Sequence, residues 1–147
     1  GVKMTVIHTD SRSDDDALAK LLGASDFVSL HCPLTPATRH LINAATLRQM
    51  KPTAILINTA RGGIVDQVAL AQALEDHAIA GAALDVTDPE PLPPEDPLLD
   101  APNLIVAPHI GSATRAAREQ MAELAVENLL AALDGRPMPH PVEPAAE

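Results

Sequence analysis

Residues 54–66 read AILINTARGGIVD. Ala54 to Ile57 form a continuous apolar run of the kind found in a parallel sheet whose faces are covered. Past it the chain presents Arg61, then Gly62 and Gly63, then a helix start at Asp66. A guanidinium has no place inside a parallel sheet, so Arg61 marks the exit of the strand at 53–59. This strand–turn–helix step sets the fold, because the same step recurs on both sides of it.

Upstream, MTVIHTD (4–10) reads as a β-branched strand, followed by the helix SDDDALAKLLGAS. Ser13 or Asp14 is its expected N-cap, the acids Asp14 to Asp16 suit its N-terminal dipole, and Leu18, Leu21 and Leu22 form its apolar stripe. DFVSLHC (26–32) is the next strand, stopped by Pro33, and a short helix capped by Asn43 follows. Downstream, DQVALAQALEDHAIAG is a helix closed by Gly81, and AALDV (82–86) and NLIVAP (103–108) are strands. A proline-rich loop joins these two strands. The last helix runs from about Thr114 to Asp134, with Met121, Leu124, Ala125, Leu129, Ala132 and Leu133 as its buried stripe and Gly135 and Pro137 as its stop. Alternating strands and helices predict an α/β chain with a Rossmann-type, doubly wound parallel sheet.

Composition narrows the function. A formal charge of −10 over 147 residues argues against nucleic acid or anionic membrane as partner, since both need basic surface. One Phe and no Trp or Tyr leave no stacking platform for bases. No apolar run reaches the roughly 18 residues of a membrane span. The single cysteine, Cys32, excludes an internal disulfide and suits a reducing cytoplasm. His31, Cys32 and His40 do not make a zinc pattern, and no metal site is expected.

In an open parallel sheet, ligands bind beyond the carboxyl ends of the strands. There the chain delivers Asp10; then His31, Cys32 and Pro33; then Asn58, Thr59 and Arg61; then Asp85 and Glu90; then His109. An Arg, a Glu, a His and an Asp converging on one sheet edge is a pocket signature.

TARGGIVD, LDVTDPEPLP and APHIGSAT, in this order and spacing, resemble the D-isomer-specific 2-hydroxyacid dehydrogenases, and most of all their glyoxylate/hydroxypyruvate reductase branch. The resemblance implies that Arg61 grips the carboxylate and keto oxygen of a 2-keto acid, a task suited to its planar, permanently charged fork. It implies that His109 is the acid/base and that Glu90 hydrogen-bonds its imidazole. Gly62 and Gly63 would then allow a sharp turn and close backbone approach to a ligand. A Gln replaces this Glu in the formate dehydrogenases, whose substrate has no carbonyl to protonate, so Glu90 points to a keto acid. On the cofactor side the resemblance assigns Asp85 to the nicotinamide carboxamide; His31, Cys32 and Pro33 to the adenosine wall; and Thr59, Ala60, His109 and Gly111 to the cleft. Asp10 falls where an acid holds the ribose hydroxyls, favouring NAD over NADP, while Arg12 could instead pair with a 2′-phosphate.

The resemblance also implies a strand and a G-x-G-x-x-G phosphate loop, and neither occurs in these 147 residues. The expected organisation is a partial dinucleotide-binding domain at 1–135, lacking its first strand and glycine-rich loop, and a tail at 136–147. The separate substrate domain is absent, and as a fragment the isolated chain is expected to show no reductase turnover. The implied activity of the parent is NAD(P)H-dependent reduction of a short 2-keto acid, glyoxylate or hydroxypyruvate, in a cytoplasmic homodimer. The alternatives are a 3-phosphoglycerate dehydrogenase-type enzyme and a non-catalytic, dinucleotide-sensing corepressor. The complete Arg61, Glu90 and His109 set favours catalysis.

Overall fold

A computed structural model of the chain describes residues 3–10, 13 and 16–142. It divides into two compact units, residues 1–109 and 110–147. The first holds helix α1 (Ala17–Ala24), strand β1 (Phe27–Leu30), helix α2 (Ala44–Leu47), strand β2 (Ile55–Asn58), helix α3 (Gln67–Glu75), strand β3 (Gly81–Leu84) and strand β4 (Leu104–Val106). The second holds helix α4 (Arg115–Leu133).

The four strands form one sheet in the order β1-β2-β3-β4, parallel throughout. The register sets Leu30 beside Asn58 and Asn58 beside Leu84, so neighbouring strands deliver their carboxyl ends at one level. Val28, Leu30, Leu56, Ala82 and Leu84 pack with Leu22 of α1, Leu47 of α2, and Leu70 and Leu74 of α3 in a single core. The opposite sheet face is only partly covered within this unit: Ile55 and Ile57 are half-buried, while Phe27 and Ile105 are exposed. Between β3 and β4 the crossover is the proline-rich loop, ending in a 3₁₀ turn at Pro97–Asp100 that buries Leu98.

Local chemistry explains most boundaries. The Asn43 side chain caps α2 by accepting from the amides of Ala45 and Thr46, and Thr46 reciprocates on the Asn43 amide. Asp66 caps α3 through the Ala69 amide, and Thr114 caps α4 through that of Ala117. At the end of α4, Gly135 has φ +69, and the amides of Gly135 and Arg136 return to Ala132 O and Ala131 O. This pairing is the left-handed Schellman stop expected of that glycine.

Four expectations are corrected. Residues 4–10 form no strand: Met4, Val6 and Ile7 are exposed, because a strand needs a ladder partner and no described segment pairs with this one. Gly81 does not close α3. That helix ends at Glu75 and His77 takes the left-handed conformation (φ 52), whereas Gly81 opens β3, where a Cβ would lie 2.9 Å from Asn103 O. Ser13 is not the cap of α1, whose N-cap position is Asp16 without a side-chain bond; the Ser13 hydroxyl instead accepts from the Asp10 amide. Finally, the apolar stripe of α4 is not buried. Met121, Leu129 and Leu133 are exposed and Ala131 alone is buried, because a unit of one helix and a tail offers no second layer. Arg12 and Asp14 lie outside the described residues.

Two glycines give opposite expectations. A Cβ on Gly62 would stand 2.1 Å from the carbonyl carbon and oxygen of Thr87, backbone atoms that cannot swing away. Gly62→Ala should therefore lower unfolding stability by about 3 kcal/mol or more. Gly23, near the end of α1 with only an ordinary 3.6 Å contact, should gain about 0.5 kcal/mol as Ala. Denaturant titration of both variants checks the pair, and equal shifts would contradict this account.

Candidate active site

The exit of β2 is held by a buried polar side chain. Asn58 is fully buried at the last strand position. Its Oδ1 accepts from the Ala60 amide at 3.0 Å, and its Nδ2 donates to Arg61 O at 3.0 Å. A buried amide side chain is tolerated only when its donor and acceptor are both used, and here both fix the turn that presents Arg61. The Arg61 side chain is exposed, with its Nη1 donating to Ala60 O at 2.7 Å. Behind it, the chain makes a 3₁₀ turn at Gly62–Ile64, both glycines buried.

The second component follows β3. Asp85, half-buried, donates its amide to Asn58 O at 2.9 Å, tying the ends of β2 and β3 together. The chain then passes buried Thr87, whose hydroxyl donates to Pro89 O at 2.9 Å, and reaches Glu90 between two cis prolyl bonds. After β4, the Ala107 amide donates to Leu84 O, and the His109 amide folds back on Ala107 O at 3.0 Å. His109 has φ 52, a left-handed conformation uncommon outside glycine. Its imidazole meets Glu90: Nδ1 lies 2.6 Å from Oε1. With Nδ1–H as the donor to this carboxylate, Nε2 is the ring nitrogen left for another partner. Both side chains are partly exposed, 46% for His109 and 41% for Glu90, so a substrate can reach them.

Of the residues singled out in sequence, Glu90 and His109 are in direct contact, and Arg61 and Asp85 stand at the neighbouring carboxyl ends of β2 and β3. Thr59 is exposed beside Ala60, which packs partly against the core. After β1, the exposed His31 ring turns back on its own strand, Nε2 lying 2.8 Å from Ser29 Oγ. Cys32 is a free thiol packed partly against the core, and Pro33 O accepts from the Thr38 hydroxyl at 2.6 Å. Asp10 is exposed on a segment without regular structure rather than at a strand end. Gly111 belongs to the second unit. Gly62 and Gly63 make the sharp turn expected of them, and the close approach at Gly62 is to the Thr87–Asp88 backbone, while Gly63 faces Arg39, Asp88 and Leu34. Among the described residues, no group of three or more His, Cys, Asp or Glu could hold a metal ion.

In the sequence Asn58 stands only among the polar residues at the strand ends, and Gln67 has no role. A polar residue closing an otherwise apolar strand was the available signal for Asn58. Nothing local distinguishes Gln67, whose partner is 21 residues away.

A parallel sheet gathering an arginine, an acid and a histidine beyond its carboxyl ends is the arrangement of a Rossmann-type dinucleotide-binding domain. The NAD binding domain of the D-isomer specific 2-hydroxyacid dehydrogenases matches residues 1–111, and the chain belongs to that family. A glyoxylate reductase of Thermofilum pendens is 58% identical over 135 residues, covering 92% of this chain and 39% of that protein. A crystal structure of a Thermus thermophilus protein superposes with a TM-score of 0.83 at 59% identity, over 86% of this chain and 40% of that one. The NADPH-dependent glyoxylate/hydroxypyruvate reductase of Sinorhizobium meliloti, solved with NADP and malonate, superposes at 0.78 with 39% identity, over 85% of this chain and 39% of that one. The chain spans about two-fifths of the length of the curated relatives it matches.

The pin at Asn58 is testable without any ligand. Asn58→Ala strands the Ala60 amide and leaves Arg61 O with only the Ile64 amide at 3.2 Å, and a part-buried donor left unpaired costs about 1–3 kcal/mol. Thermal or urea unfolding should show a loss of roughly 1–3 kcal/mol; a loss below about 0.5 kcal/mol would mean the turn does not rely on it.

Proposed function

We propose that this chain supplies the acid/base and substrate-anchoring side chains of an oxidoreductase that reduces a short 2-keto acid, glyoxylate or hydroxypyruvate first, to the D-2-hydroxy acid with NADH. The observation that carries the reading is the 2.6 Å contact between His109 Nδ1 and Glu90 Oε1. A carboxylate on one ring nitrogen fixes the tautomer and holds the ring, so that Nε2 is the nitrogen that exchanges a proton with the substrate. Arg61 holds the substrate carboxylate and polarises its keto oxygen.

A bound dihydronicotinamide would supply hydride to the keto carbon. The residues present fit one wall of such a cofactor: Pro33, Thr59, Ala60 and Asp85 follow β1, β2 and β3 and offer apolar surface, a hydroxyl and a carboxylate. Asp85 would receive the carboxamide, and His31 and Cys32 would flank the adenosine. Asp10 holds the ribose hydroxyls and repels a 2′-phosphate, which makes NADH the preferred reductant and NADPH the lesser one. As His109 Nε2 gives its proton to the developing alkoxide, Glu90 stabilises the charge on the ring, and Arg61 keeps the carboxylate in place.

This reading makes residues 1–135 part of a dinucleotide-binding domain, with the second half of the cleft and the phosphate-binding loop in other segments of the protein. A cytoplasmic homodimer is the matching assembly. No described helix is long and apolar enough to cross a membrane.

In the full-length protein that carries this chain, His109→Gln should lower kcat for glyoxylate by roughly 10²–10⁴-fold with NADH binding little changed. Arg61→Ala should cost about 10²–10³-fold in kcat/KM, raising KM and lowering kcat together. Steady-state assays at 340 nm with both cofactors read these outcomes. Near-wild-type turnover in both variants would refute the assignment. Asp10→Ala should narrow the NADH-over-NADPH preference, and an unchanged ratio would remove Asp10 from the ribose site.

A further inference from the structure

Glu90 lies in an exposed, proline-rich loop, yet it meets His109 at 2.6 Å. What aims it is found two residues earlier. The Gln67 side chain clasps the backbone of Asp88 from both sides: its Nε2 donates to Asp88 O at 2.9 Å, and its Oε1 accepts from the Asp88 amide at 2.8 Å. A primary amide carries the same donor–acceptor pair as a neighbouring strand, so Gln67 acts as a one-residue ladder for a loop that has no strand beside it. Gln67 is itself the first residue of α3, held immediately behind the Asp66 cap, and so belongs to a rigid element.

The other ties at this point are of different kinds. Gly62 permits the close approach to Thr87 and Asp88 but gives no direction along the loop. Arg39 Nη2 stands 3.4 Å from Asp88 Oδ2 with both side chains about half exposed, an ion pair of little weight. The Thr87 hydroxyl binds Pro89 O within the loop itself. Gln67 is therefore the side chain that joins the loop backbone to the helix.

We infer that Gln67 is a positioning residue for the acid/base pair: by fixing the backbone of Asp88 it sets Glu90 against His109. This inference rests on the function proposed above. It assigns Gln67 no contact with substrate or cofactor.

The test is proton NMR on the chain itself, with urea unfolding as a check on folding. The Glu90–His109 hydrogen bond should give a low-field imidazole N–H resonance, assigned by its loss in His109→Gln. Gln67→Met keeps the side-chain length and removes both hydrogen bonds. It should erase or exchange-broaden that resonance and speed exchange of the Asp88 amide by about tenfold or more, while the sheet amides stay protected. If the Met variant does not fold, Gln67→Glu is read instead; it keeps the acceptor for the Asp88 amide, loses the donor, and should weaken the resonance. A wild-type resonance that survives unchanged in the folded variant overturns the role of Gln67 alone. A wild-type chain without the resonance overturns the acid/base pair, and the positioning role with it.

Discussion

The contact on which the site depends is the approach of the Gly62 backbone to the Thr87–Asp88 backbone, close enough that a Cβ would fall 2.1 Å from Thr87. It brings the turn leaving β2 against the loop leaving β3. Each side is then secured by one amide side chain. Asn58 pins Ala60 and Arg61 from inside the sheet end, and Gln67 clasps Asp88 from the start of α3. The glycine supplies proximity and the two amides supply direction. Without the first, neither turn can sit where its amide reaches.

The third strand end is organised differently. His109 does not lie in a turn pinned by a buried neighbour. Its own backbone is left-handed, and its amide returns to Ala107 O. Residues held in such sparsely populated conformations persist where the surroundings fix them, and they cluster at functional sites. The conformation breaks the line of β4 two residues past Ala107 and leaves the imidazole facing Glu90 rather than continuing along the sheet edge. An exposed pair at 2.6 Å in a protein of net charge −10 adds little to stability.

The fold was legible because its signals are local. The strands read at 26–32, 53–59, 82–86 and 103–108, the helix starts at Asn43, Asp66 and about Thr114, and the Gly135 stop each need only a few neighbouring residues, and the strands and helices form within or beside those bounds. Three of the failures share one cause, dependence on a partner that local pattern does not reveal. MTVIHTD has strand composition, but among the described residues nothing pairs with it. The α4 stripe has helical spacing, but its unit has no layer to receive it. Gly81 lies where a helix stop belongs, yet His77 makes the stop and Gly81 answers to Asn103 on the next strand. At the site, the residue types at the strand ends pointed to Arg61, Glu90 and His109, whereas the roles of Gln67 and Gly62 arise from contacts 21 and 25 residues away in sequence.

The central claim is that these three strand ends form one reaction centre for a 2-keto acid. A crystal structure of the full-length protein with NADH and oxamate, an unreactive analogue of such an acid, tests it most directly. The account predicts the analogue's carboxylate in hydrogen-bond contact with the Arg61 guanidinium, and its amide-flanked carbonyl oxygen facing His109 Nε2, with Glu90 still on Nδ1. An analogue bound with its carboxylate away from Arg61, or with Nε2 turned from the carbonyl, would contradict it.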